Sequence, residues 1–74
     1  MGTDAVPGPM LSVNGKSMEL GTHRTIGDLL AGLEISPMRV VVEHNGEIHR
    51  RGEGLERGIA AGDTIEIVHF VGGG

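Results

Sequence analysis

Gly62-Asp63-Thr64-Ile65-Glu66-Ile67-Val68-His69-Phe70-Val71-Gly72-Gly73-Gly74 is the stretch on which the fold turns. Gly62-Asp63 is turn chemistry. Thr64 to Phe70 is rich in β-branched residues and reads as a strand. Alternate side chains of a strand point to opposite faces. Ile65 and Ile67 therefore share one side, assigned to a core. Glu66, Val68 and Phe70 share the other, assigned to water. Phe70 is the only aromatic residue in the chain. Exposed beside Val68 and Val71, it reads as a partner-docking patch, because interface anchors are often aromatic. The competing reading bends the strand and tucks Phe70 into the rim of the core.

Two Asn-Gly dipeptides mark the rest of the sheet. Asn14-Gly15 separates Leu11-Ser12-Val13 from Ser17-Met18-Glu19-Leu20, and Asn45-Gly46 separates Val40-Val41-Val42 from Glu47-Ile48-His49. Asn-Gly supplies the positive φ angles of a two-residue type I′ turn, so each pair of runs reads as a hairpin. Between the hairpins, Thr25 opens a helix with capping-box-like spacing to Asp28. Ile26, Leu29, Leu30 and Leu33 fall at i, i+3, i+4 and i+7, a single apolar stripe, and Pro37 stops the pattern. Gly27 and Gly32 weaken this helix, so it must be held by packing on a sheet. Arg50 to Ala61 reads as a loop with room for one helical turn. The order is β-β-α-β-β-β. Two hairpins flanking one crossover helix give an α+β fold, a mixed sheet of four to five strands with one main helix on one face. That is the β-grasp, or ubiquitin-like, arrangement.

Residues 10–71 form the folded domain in this reading, and Gly72, Gly73 and Gly74 form a flexible tail. Residues 1–9 read as a vector-derived leader, with Pro7, Pro9, Gly2 and Gly8 and no periodicity. A native flexible arm is the alternative.

Composition narrows the function. In 74 residues there is little core for a catalytic cleft, which favours a carrier or binding module over an enzyme. The absence of Cys removes disulfides, zinc–thiolate sites and thiol catalysis. Six Lys and Arg against ten Asp and Glu leave a net charge of −4. That charge and the lack of Trp and Tyr argue against nucleic acid. An acidic protein of this size is steered instead toward basic protein surfaces. No apolar run approaches the ~20 residues of a membrane span, and no secretory leader is evident.

From Met10 to Gly74 the sequence resembles the ThiS family, the sulfur carriers of thiamine biosynthesis. Leu11-Ser12-Val13-Asn14-Gly15, Val40 to Ile48, and above all Gly62 to Gly74 carry the resemblance. Family members often have Pro-Arg after the Asn-Gly-Glu-Ile stretch; His49-Arg50 stands there. The resemblance implies that the reactive group is the Gly74 carboxylate, with no catalytic side chain and no bound cofactor. It also implies three partners. A ubiquitin-activating-like adenylyltransferase uses ATP and magnesium on Gly74, a cysteine desulfurase or rhodanese-like protein supplies sulfur, and thiazole synthase accepts it from the thiocarboxylate. A cytoplasmic location goes with that pathway.

The tail has a physical reading of its own. A carboxylate is anionic and resonance-stabilised, so it must be activated before sulfur can displace an oxygen. The chain end must then enter another protein's active site, and Gly has no side chain to block a narrow channel. Val71 to Gly74 reach about 14 Å when extended. Two rivals share the fold. One is the small sulfur-carrier subunit of molybdopterin synthase, and the other is a ubiquitin-like modifier joined to lysines. A plain interaction domain with an inert tail is a third.

Weaker signals have bland readings. His23, His44, His49 and His69 show neither helical His pairing nor a Cys cluster, so no metal site is expected and solvated surface His is the better reading. Arg50-Arg51 could grip a phosphate or carboxylate on a partner, but reads more simply as a solvated loop end. Gly52-Glu53-Gly54 lacks the Lys of a phosphate loop. Met18 and Met38 read as packing residues.

Overall fold

The computed structural model describes residues 8–70. Five strands form one mixed sheet: β1 (Met10–Val13), β2 (Lys16–Glu19), β3 (Val40–His44), β4 (Glu47–His49) and β5 (Thr64–His69). Helix α1 (Ile26–Gly32) follows the first hairpin, and a 3₁₀ turn at Pro37–Arg39 leads into β3. Residues 1–7 of the expected leader, and Val71 with the Gly72–Gly74 tail, lie outside the described residues.

The order β2-β1-β5-β3-β4 places β5 at the centre. It runs parallel to β1 and antiparallel to β3, while each hairpin is antiparallel within itself. Both predicted turns form. Asn14 and Asn45 each take φ 51°, and the glycine after each takes a positive φ. A type I′ turn needs both central residues in the left-handed, positive-φ region, which Asn and Gly tolerate best. The asparagine side chains do more than turn the chain. Asn14 Oδ1 accepts from the Ile67 N–H at 2.6 Å, and its Nδ2 donates to the Ile67 carbonyl at 3.3 Å. The β1–β5 register stops at Val13↔Ile65, so this amide continues the parallel ladder past the end of β1.

Helix α1 has the capping box expected of Thr25 and Asp28. Thr25 Oγ1 accepts from the Asp28 N–H, and Asp28 Oδ2 accepts from the Thr25 and Arg24 N–H groups. The early N–H groups of Ile26 and Gly27 bond to the carbonyls of Arg57 and Leu55. Two of the orphan donors of the helix start are thereby satisfied by the long loop rather than by water. That loop contains no helix; a bridge between Thr25 and Gly58 fixes it against α1 and drops Ile59 into the core. The helix ends at Gly32, earlier than Pro37 implies, with Leu33 as its C-cap and Glu34 at φ 60°. At Gly32 the His23 ring sits within 2.5 Å of where a Cβ would lie. Pro37 opens the 3₁₀ turn instead, at a first-turn position where its missing N–H costs little.

The core is aliphatic: Leu11, Ile26, Leu29, Leu30, Val40, Val42, Ile59, Ile65 and Ile67 are buried, and Val13, Met18, Leu20, Leu33, Ile35 and Leu55 pack on it. Ile65 and Ile67 thus face the helix as their alternation implies. Met38 departs from its expected packing role, because the 3₁₀ turn points it outward over Gly52 and leaves it 59% exposed.

Asn14→Ala should lower the free energy of unfolding by about 1–3 kcal/mol, because it removes the bonds to both the N–H and the carbonyl of Ile67. Urea unfolding measures this, with an unchanged m-value expected.

Candidate functional site

The described chain ends where β5 ends. Phe70 continues the strand pairing by one residue, its N–H donating to the Arg39 carbonyl at 3.0 Å. Its ring is 48% exposed. Val68 lies on the same face, 60% exposed, opposite Val41 on β3. One rung further, Glu66 stands opposite Glu43, and Glu43 stands opposite exposed Ile48 on β4. Val41, Ile48, Val68 and Phe70 form a shallow apolar face on the side of the sheet away from α1, with a pair of like charges set into it. Directly opposed like charges cost stability, so nothing in the folding of the isolated domain favours this pair.

The structure brings Val68 and Phe70 together; Val71 and Gly74, the residue expected to be reactive, with Gly72 and Gly73, fall outside the described residues. Sequence reasoning missed Val41 and Ile48. The Val40-Val41-Val42 run shows no alternation, yet the register of the Asn45-Gly46 hairpin puts Val41 and Ile48 on the outer face. Arg51 was missed as a neighbour of Phe70. Its guanidinium carbon stands 5.4 Å from the ring centroid, within reach of the ring's quadrupole.

At the opposite end of β5 the histidine expectation is corrected. His44 is a buried residue, not a solvated one. Its Nε2 is 2.8 Å from Asp63 Oδ2, and since a carboxylate only accepts, Nε2 carries the proton. Asp63 also accepts from the Asn45 Nδ2 at 3.2 Å and the Ala60 N–H at 2.9 Å. Asn45 Oδ1 in turn accepts from the Thr64 N–H at 2.8 Å. These bonds clamp the second hairpin turn to the start of β5. Burial of His44 follows from its parity: it shares a face with Val40 and Val42. His49 packs its ring against Gly54, which takes φ 72°. Among the described residues no group of three or more His, Cys, Asp or Glu could hold a metal ion, and no helix is long and apolar enough to cross a membrane.

The sequence pattern of the ThiS family matches residues 10–74, from the first residue of β1 through the glycine tail. The chain belongs to the ThiS family. It is 44% identical over 66 residues to the sulfur carrier protein ThiS of Bacillus subtilis (strain 168), a match covering 88% of this chain and all of that protein. The crystal structure of the thiamine biosynthesis protein ThiS from Geobacter metallireducens superimposes with a TM-score of 0.68 at 32% identity, covering 88% of this chain and 99% of that one. The chain is also 36% identical over 64 residues to the thiazole synthase of Magnetococcus marinus, but spans only 20% of that protein. The mixed five-stranded sheet with one helix is therefore the ubiquitin-like β-grasp of a ThiS protein. Within this ThiS fold the Asp63 clamp and the exposed face sit at the two ends of one strand.

Asp63 carries a pH dependence. Its carboxyl is held below the ordinary 3.8 chiefly by the His44 hydrogen bond, with Asn45 and the Ala60 N–H adding to it. A depressed folded pKa contributes stability that is present above 3.8 and is lost as pH falls through the folded value. Asp28 acts in the same direction through its bonds from Arg24 and Thr25. Thermal melts of wild type should fall progressively below about pH 4. Asp63→Asn should be less stable at pH 7 and show a shallower fall over the acid limb. An acid limb identical in the two proteins would remove Asp63 from this account.

Proposed function

We propose that this ThiS-family sulfur carrier holds its sulfur as a thiocarboxylate on the C-terminal Gly74 and delivers it for thiazole formation in thiamine biosynthesis. The observation that carries the reading is the central strand. β5 is fixed on both edges, presents an exposed Val68–Phe70 face, and is followed directly by Val71 and three glycines.

The chemistry needs partners, because the chain offers a carboxylate and a surface. An adenylyltransferase of the ubiquitin-activating type, using ATP and magnesium, lets the Gly74 carboxylate attack the α-phosphorus, and pyrophosphate leaves. A cysteine desulfurase or rhodanese-like protein presents sulfur as a cysteine persulfide. Its terminal sulfur attacks the acyl carbon and AMP leaves, giving an acyl disulfide; a thiol then reduces the S–S bond, forming a disulfide with the donor cysteine and releasing the thiocarboxylate. Thiazole synthase is the acceptor in this reading. Support comes from proteins named thiazole synthase that contain a ThiS-like segment within a much longer chain. Joining carrier and acceptor in one chain raises their effective concentration, which is useful only if the two must meet. These steps set the carrier in the cytoplasm, where ATP and the donor are available.

Docking falls to Phe70, Val68 and Val71, with Gly72 to Gly74 threading into the partner site. Only glycines bring a carboxylate down a narrow channel without steric conflict, and the domain face stops at the channel mouth. Glu43 and Glu66 give that face an acidic centre, suited to a cation on the partner.

Two outcomes check the reading. Intact mass after incubation with ATP, the adenylyltransferase and a sulfide source should rise by the difference between sulfur and oxygen. A protein carrying one further residue after Gly74 should melt as wild type and gain no sulfur; loading of that uncleaved protein would end the proposal. Separately, Phe70→Ala should shift stability by no more than about 1 kcal/mol, since the ring is half exposed. The same change should weaken binding to the adenylyltransferase by about 1–3 kcal/mol. A stability loss of ~3–5 kcal/mol would instead make Phe70 part of the core rim.

A further inference from the structure

The chain is acidic overall, yet its positive charge is not spread evenly. Arg39, Arg50 and Arg51 are three of the six Lys and Arg residues, and the fold brings them to the end of the sheet from which the tail departs. Arg39 is tied there by its carbonyl, which accepts the Phe70 N–H. Gly52 donates to the Pro37 carbonyl at 3.1 Å, which seats the Arg50–Arg51 turn against the 3₁₀ turn. Arg51 lies over the Phe70 ring. All three arginines are exposed, and none is in an ion pair among the described residues. Arg57, by contrast, is committed to Glu47. Glu53 stands on the same turn as Arg50 but forms no ion pair with it.

We propose that Arg39, Arg50 and Arg51 form a basic collar around the tail exit that recognises carboxylate side chains at the mouth of the partner's channel. This rests on the carrier reading above and specifies the chemistry of the partner surface. Three arguments support it. First, Arg51 is pre-organised. Its guanidinium carbon lies 5.4 Å from the Phe70 ring centroid, a cation–π contact that favours this placement at the exit, and its planar fork matches a carboxylate bidentately. Second, the ligand is a protein carboxylate and not the nucleotide phosphate. Threading requires an extended tail, which puts the Gly74 carboxylate and any adenylate on it about 14 Å beyond Phe70. The collar then faces the surface around the channel, not the chemistry inside it. Third, the collar reverses the sign of the rest of the molecule. A net charge of −4 with a positive tail end is a molecular dipole, and an acidic channel mouth orients it tail first during encounter.

The test uses the full chain and the purified adenylyltransferase that loads it with sulfur. The triple variant Arg39→Glu/Arg50→Glu/Arg51→Glu should bind at least about tenfold more weakly at low salt, with a smaller dependence of Kd on ionic strength. Lys16→Glu/Arg24→Glu, the same kind of change away from the exit, should alter Kd by less than about twofold. Melting curves report whether the triple variant folds. Should it not, Arg50→Ala and Arg51→Lys, which remove one charge and one planar fork, take its place, each with a several-fold weaker Kd expected. Equal Kd and salt dependence in wild type and collar variants would overturn the proposal while leaving sulfur loading of wild type intact. A raised KM for ATP with unchanged carrier binding would also overturn it, by placing the arginines on the nucleotide. If wild type is never loaded, the carrier reading falls and the collar with it.

Discussion

The strand Thr64–His69 has a hydrogen-bonded neighbour on each edge, and the rest of the fold depends on that position. Within the sheet the two hairpins are joined by hydrogen bonds through it and not to each other directly. Hairpins are marginal alone, and three or more strands with a buried face are needed for stability. β5 converts two such hairpins into one five-stranded sheet, and its Ile65 and Ile67 give α1 something to cover. Each hairpin turn supplies an asparagine whose amide takes hold of β5: Asn14 at the Ile67 peptide, Asn45 at the Thr64 N–H. An amide is the apt group here because it offers both a donor and an acceptor at the end of a short side chain, and because Asn tolerates the left-handed turn position.

The domain has few apolar atoms to spare for this. Among the described residues the nine buried hydrophobic ones are all aliphatic, and helix α1 is seven residues long. An isolated helix that short is not stable in water. It forms because the sheet buries Ile26, Leu29 and Leu30, because Thr25 and Asp28 cap it, and because loop carbonyls take its first donors. The buried His44 belongs to the same economy. A histidine on the core face is tolerable when its ring nitrogen reaches a carboxylate, and Asp63 is placed for that by the turn that starts β5. Polar clamping therefore concentrates at one end of β5, and the apolar and basic surface collects at the other.

Much of this was legible in the sequence. Both Asn-Gly turns, the Thr25 cap, the Ile26–Leu29–Leu30 stripe and the alternation of Ile65 and Ile67 are local signals, and local signals are read from short windows. The central position of β5 was not among them, because parallel pairing with β1 joins residues about fifty positions apart and leaves no local trace. His44 was misread for the same reason. Its parity with Val40 and Val42 was available, but its partner Asp63 lies nineteen residues away. Met38 was misread because a 3₁₀ turn at Pro37 redirects the chain, and its apolar character alone did not reveal the direction. At the site, Val68 and Phe70 followed from strand period, whereas Arg51 on the Phe70 ring required the loop path of residues 50–55.

In the carrier reading proposed above, a chain that visits several partners in turn must release each one, which limits how tightly its surface can grip. The exposed face fits that limit. It is a few aliphatic side chains and one phenylalanine, with two glutamates set where they weaken rather than strengthen the isolated fold. Selectivity must then come from arrangement rather than area. A phenylalanine whose backbone N–H is held by the Arg39 carbonyl and whose ring has the Arg51 guanidinium within cation–π reach has less freedom to lose on docking than a free side chain. Gly72, Gly73 and Gly74, by contrast, have no side chain with which to make a contact. In the carrier reading proposed above, β5 therefore sets where a partner's channel must lie, and a tail without side chains sets how narrow that channel can be.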